Sequence, residues 1–219
     1  MPKHKQIIEK LASTYQSNGN NLALLVTGSV ARDEYSENSD LDLLLVAKEK
    51  QPFREELIDG IVVEVKTNTL DGFVLKMKDD PMNIYQWLDA KVIFDSDNVS
   101  ERIINEAKNI YDTHTSAPKE ISGTKKWLES AKIKIESTQQ NNDELALGFN
   151  VSNILWQIVR GLYLLNNKPV PPNTTAFGRI NKLENLPNNF DQQWKDLLTG
   201  DLEKRSNLHS RLNRNPLVI

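Results

Sequence analysis

The chain has 219 residues, 38% hydrophobic and 26% charged, with a formal net charge of −3. That is enough chain to bury a real core, and the mildly acidic balance gives no general pull toward nucleic acid or an anionic membrane. It contains no cysteine, which excludes disulfides, thiolate nucleophiles and cysteine-based zinc or iron–sulfur sites.

Taken in chain order, Ile7, Ile8, Leu11 and Tyr15 recur at helical spacing, and "SNGNN" (17–21) ends that helix. The amphipathic start carries no apolar signal-peptide core, and no apolar run approaches the roughly 20 residues that span a bilayer. The expectation is a soluble cytoplasmic protein. "LALLV" (22–26), "SDLDLLLVA" (39–47) and "IVVEVKT" (61–67) read as three strands. The segment between the last two, "EKQPFREELIDG", reads as a turn, so antiparallel pairing of these strands is expected. Helical stretches follow over 70–77 and through "NIYQWLDA", separated at Asp80-Pro81. "KVIFD" (91–95) is a fourth strand, and Asp97 or Ser100 is a candidate cap for the helix "ERIINEAKNIYD".

Turn residues without apolar period mark "DTHTSAPKEISG" (112–123) as a domain boundary. The expected division is 1–115 and 116–219. Beyond it only helices are expected, over 124–138, 143–166, 176–184, 190–198 and 201–212. In the second of these, Leu147, Val151, Leu155, Ile158, Leu162 and Leu165 form one apolar stripe. The fold class is α+β: a mixed or antiparallel sheet flanked by helices, followed by a helical bundle. His4, His114 and His209 are too scattered for a metal site or a triad.

The chemistry concentrates in "VTGSVARDEYSENSDLDLLLV" (26–46). Asp40 and Asp42 lie two apart on a strand and so share a face, while Leu41 and Leu43 take the other. Two carboxylates held together call for a proton or a cation between them, and oxygen ligands with an open face suit magnesium carrying substrate phosphates. Glu64, alone among the valines of its strand, is the candidate third metal-facing carboxylate. Gly28, at a strand end, lets a phosphate approach the backbone; Ser29 adds a hydroxyl and an N–H at a helix start.

Gly28-Ser29, ten residues, then Asp40-x-Asp42, with Glu64 on a later strand, resembles the DNA-polymerase-β-like nucleotidyltransferase superfamily. Within it the pattern is most similar to small bacterial enzymes of the kanamycin type and to minimal nucleotidyltransferases. Where their pattern has a glycine after the arginine, this chain has Asp33. The resemblance covers roughly residues 20–95. It implies that Asp40, Asp42 and Glu64 hold magnesium and carry catalysis, and that Gly28, Ser29 and Ser39 contact a nucleoside triphosphate. The implied activity moves a nucleoside monophosphate, AMP from ATP, onto a hydroxyl of a small-molecule acceptor such as an aminoglycoside-like antibiotic, with pyrophosphate released.

The same resemblance makes the helical half the acceptor-binding part and leaves room for a homodimer and for a resistance role. Glu129, with Glu136 and Glu144 behind it, is the candidate general base there; a solvated helix face with Glu129–Lys132 style pairing is the simpler reading of any one of them. Trp156, Arg160 and Tyr163 share a face that suits either an acceptor wall or packing. Two alternatives stand beside this reading: adenylylation of a partner protein, as in antitoxin-type relatives, and nucleotide binding without turnover as a regulatory module. A template-copying polymerase ranks last, because the chain is small and acidic for a duplex-binding surface.

Overall fold

The computed structural model describes residues 3–202, 204 and 205. The chain divides into two compact units, residues 1–113 and 114–219.

The first unit is a five-stranded mixed sheet flanked by helices. Helix α1 (Lys3–Gln16) leads into β1 (Asn21–Thr27), a single helical turn α2 (Gly28–Ala31) and β2 (Leu41–Ala47). Strands β3 (Arg54–Ile58) and β4 (Ile61–Asn68) follow. Then come α3 (Leu70–Asp79), a 3-10 turn (Pro81–Ile84), α4 (Tyr85–Leu88), β5 (Lys91–Asp95) and α5 (Val99–Thr113). The strand order is β3-β4-β2-β1-β5. All neighbours are antiparallel except β2 and β4, which run parallel.

That parallel pair corrects the sequence reading. The stretch taken for a turn contains β3, whose side chains Arg54, Glu55, Glu56 and Leu57 are exposed. Such a strand has no buried face and therefore no apolar alternation to betray it. Reversal happens between β3 and β4, where Asp59 and Gly60 both take positive φ, 52° and 84°, as a two-residue hairpin turn of the primed type requires. With one reversal used there, β4 returns beside β2 in the same direction.

One face of the sheet packs Leu24, Val26, Leu41, Leu43, Leu45, Val63 and Val65 against Ile7 of α1 and Val30 and Ala31 of α2. On the other face Ala23, Leu25, Leu44 and Val46 are buried as well, and α5 packs on β1 and β5. Slipping β2 or β4 by one residue would exchange these leucines and valines for Asp42 and Glu64. Each such side chain is worth about 1.5–3 kcal/mol when buried, so the core pattern fixes the register on which the polar residues depend.

Local caps agree with the boundaries. Thr69 accepts a hydrogen bond from Gly72 N–H at 3.0 Å, and Asp80 from Met82 N–H at 3.1 Å, satisfying donors at the starts of α3 and the 3-10 turn. The cap of α5 is neither Asp97 nor Ser100: Asp95 accepts from Val99 N–H at 3.0 Å and Ser100 N–H at 3.2 Å, and also from the Ser100 hydroxyl.

The second unit is helical over its described residues: α6 (Pro118–Gln140), α7 (Glu144–Leu165), α8 (Asn173–Arg179), a 3-10 turn (Ile180–Lys182) and α9 (Phe190–Thr199). Asp143 caps α7 by accepting from Ala146 N–H at 3.0 Å. Within the predicted stripe of α7, Leu147, Val151, Ile158 and Leu162 are buried, while Leu155 and Leu165 are partly exposed. Of the expected helix over 201–212, Leu202, Lys204 and Arg205 are helical and Asp201 accepts from Lys204 N–H at 2.7 Å; residue 203 and those from 206 on, His209 included, lie outside the described residues. No helix among the described residues is long and apolar enough to cross a membrane.

Candidate active site

The candidate side chains Asp42 and Glu64, with Gly28, meet where β1 ends and β2 begins. Register places Thr27 of β1 beside Asp42 of β2, and Asp42 beside Glu64 of β4. Partners in register share a face, so Asp42 and Glu64 stand together on the face opposite the Ile7 cluster. Their side chains are 25% and 26% exposed. The row continues outward to Glu55 of β3, which is paired with Glu64.

Between the two carboxylates lies Lys66. Its ammonium is 3.3 Å from Asp42 Oδ1 and 3.4 Å from Glu64 Oε2. Like charges directly opposite across strands are destabilising, and this lysine supplies the cation that relieves the pair.

Gly28 closes the site from the β1 side. Its φ is +70°, and a Cβ added there would stand 2.6 Å from Asp42 Oδ2. Both facts demand glycine: the left-handed backbone, and the carboxylate pressed against the place a side chain would fill. Ser29 follows, half-buried, in α2. At four residues α2 has little macrodipole, so its contribution to an anion comes from local N–H groups. Thr27 is not available to a ligand, since its hydroxyl donates to the Gln86 carbonyl at 2.6 Å.

The loop from α2 to β2 is tied at several points. Glu34 N–H donates to the Ser29 carbonyl at 3.0 Å, and Arg32 pairs with Glu34 at 2.7 Å and Asp89 at 3.6 Å. Asp33 pairs with Lys91 of β5 at 2.6 Å. Its φ is 60°, so Asp33 adopts the conformation that a glycine would take here, one that Asp tolerates better than most residues. Asp33→Val is therefore expected to lower stability by about 1–2 kcal/mol, while Asp33→Gly stays near wild type. Chemical denaturation of the two variants checks this, and equal stabilities would refute it.

The far end of the loop is anchored by His4. This residue of α1 is buried, its Nε2 donates to the Ser39 carbonyl at 2.7 Å, and its ring meets Tyr35 edge-on at 4.8 Å between centroids. Nothing in the sequence joins positions 4 and 39; the contact exists only in the fold. The Ser39 hydroxyl is used within the loop, accepting from Ser36 N–H at 2.9 Å and lying 3.3 Å from the Ser36 hydroxyl.

Asp40 stands on the extended approach to β2, exposed, with no hydrogen bond or ion pair among the described residues. Asp42 and Glu64 are thus brought together, and Asp40 does not join them in a preformed cluster: no three His, Asp or Glu gather into a cation cage among the described residues.

The candidates from the second unit sit in ordinary helical surroundings. Glu129 and Glu144 are exposed, and Glu136 pairs with Lys132 at 3.8 Å. Tyr163 is buried, its hydroxyl donating to the Ala176 carbonyl at 3.2 Å, and Arg160 pairs with Glu120 at 3.2 Å. Tyr163 is thus part of the packing, whereas Arg160 holds its ion pair with a side chain that is 37% exposed.

Residues 4–94 match the family model described as "Nucleotidyltransferase domain", a span that contains every site residue named from Gly28 to Lys66. The match supports nucleotidyl transfer as the general class of activity. Among solved structures, the crystal structure of a nucleotidyltransferase-like protein from Exiguobacterium sibiricum 255-15 is similar at 11% identity. The similarity covers 97% of this chain and 74% of that one, with a TM-score of 0.44, and is too slight to carry an argument. No curated protein sequence matches the chain.

Proposed function

We propose that the protein moves a nucleoside monophosphate from a nucleoside triphosphate, AMP from ATP, onto a hydroxyl of a small-molecule acceptor. The observation that carries this reading is the register of Asp42 beside Glu64, with Gly28 pressed against the Asp42 carboxylate. It couples two oxygen donors to a backbone open to phosphate, on a region that matches nucleotidyltransferase domains.

A divalent cation fits these residues: their oxygens suit magnesium, and a cation in the form of the Lys66 ammonium already lies within 3.4 Å of both Asp42 and Glu64. Asp42 and Glu64 would hold it, with Asp40 as the further carboxylate. When bound, magnesium supplies charge neutralisation on the triphosphate oxygens.

The chain's own residues do the rest. Gly28 leaves room for a phosphate against the backbone, and Ser29 offers its hydroxyl and N–H to phosphate oxygens. The loop tied by His4, Asp33 and Arg32 leads through Asp40 into β2. The acceptor oxygen forms a bond to the α-phosphorus, and the bond from that phosphorus to the bridging oxygen breaks. Pyrophosphate leaves with the electron pair, and the acceptor proton passes to a base or to water. Positioning and charge neutralisation dominate such transfers.

The reading is tested by mass spectrometry of reactions holding the protein, magnesium, mixed triphosphates and a panel of hydroxylated antibiotics, small metabolites and proteins. The expected product is an adduct of nucleoside-monophosphate mass on a small molecule, absent with Asp40→Asn/Asp42→Asn. An adduct on a protein instead would make this a protein adenylyltransferase. Metal-dependent triphosphate binding with no adduct on any acceptor would make it a regulatory module.

A further inference from the structure

Lys66 has no part in the site as read from sequence, yet it occupies its centre. We propose that Lys66 is a displaceable internal counter-ion: its ammonium takes the place of a divalent cation between Asp42 and Glu64, holds the pair together until that cation arrives, and competes with it. This rests on the metal-dependent reading of the carboxylates.

The geometry follows from strand periodicity. Lys66 is two residues beyond Glu64 on β4 and so shares its face, while Asp42 reaches the same spot from β2 through its register with Glu64. The two ion-pair distances, 3.3 and 3.4 Å, are nearly equal, so the charge is shared rather than assigned to one partner. With Lys66 absent, two carboxylates would face each other across paired strands.

Displacement is equally built in. Lys66 is 42% exposed against 25% for Asp42 and 26% for Glu64, so the cation is the accessible member of the triad. Its flexible four-carbon stem also lines a cavity of about 580 Å³, between β4 and α3, shared with Lys50, Asn68 and Lys76. A departing ammonium has this open space to enter, where Asp79 stands among the lining residues. A single positive charge is the weaker competitor against a divalent ion, and the more so when the ion arrives with phosphate oxygens as further ligands. The device therefore favours the metal–triphosphate complex over free metal.

The test is manganese binding to the full chain without nucleotide, read by the electron paramagnetic resonance signal of free Mn²⁺, together with thermal unfolding in chelator. Lys66→Met is expected to bind Mn²⁺ about tenfold more tightly, within the usual span of such couplings. In chelator it is expected to unfold at a lower temperature than wild type, and that difference should disappear when Glu64→Gln is added to both chains. Unchanged or weaker Mn²⁺ binding by Lys66→Met, with Mn²⁺ lost in Asp42→Asn/Glu64→Gln, overturns the counter-ion and leaves the metal site standing. Wild-type Mn²⁺ affinity in Asp42→Asn/Glu64→Gln overturns the carboxylates as the metal site, and the counter-ion with them.

Discussion

Asp42→Asn is expected to reduce turnover about a thousandfold while leaving the unfolding temperature at or above that of wild type. Asparagine keeps the shape of the side chain and its close approach to Gly28, so the local packing survives. What goes is one negative charge at the centre of the site. Removing several kcal/mol of charge stabilisation in the transition state is worth about three orders of magnitude in rate. Stability moves the other way, because Asp42 and Glu64 are like charges in register and Lys66 then serves only one of them. A partly exposed site of this kind changes stability by no more than about 0.5 kcal/mol. The check is single-turnover rate and thermal unfolding on the same preparation. Near-normal turnover with asparagine at 42 would remove this residue from the machinery.

Gly28→Ala is expected to damage stability and turnover together. The positive φ costs a non-glycine residue about 1–2 kcal/mol, roughly 2–8 °C in unfolding temperature for a chain of this size. The new Cβ would also meet Asp42 Oδ2 at 2.6 Å, and Asp42 is held by the ladder between β1 and β4, so the carboxylate must turn away. A displacement near 1 Å at a reacting centre costs about a hundredfold in rate. Because the backbone term and the clash are separable, Asp42→Ala should recover part of the stability lost in Gly28→Ala and none of the activity. Strict additivity of the two substitutions would show that the glycine answers only to its backbone angle.

The parts of this site that were legible in sequence are those that break a local pattern. Asp42 interrupts a run of leucines, Glu64 interrupts a run of valines, and Gly28 follows a strand without pause; the fold then brings Asp42 and Glu64 into register. Lys66 was readable by the same rule that pairs Asp40 with Asp42, since it stands two residues from Glu64 in "VVEVKT", but a lysine in a strand reads as solvated unless its neighbours are known. His4 carried no signal, because its partner lies 35 residues away. The direction of β4 was misjudged for a physical reason: β3 is charged on both faces, and periodicity detects only strands that bury one. Glu55 was hidden with it.

That unobtrusive strand has a further consequence. An edge strand leaves a row of unpaired backbone donors and acceptors, and an apolar one is a template for another chain. Without β3, the border of this sheet would be β4, whose Ile61, Val63 and Val65 alternate along one buried side. Arg54, Glu55 and Glu56 end the sheet mainly in charge instead, with Leu57 the exposed apolar side chain among them. Fraying at the margin is then spent on β3, and the strand that carries Glu64 and Lys66 keeps hydrogen-bonded neighbours on both sides.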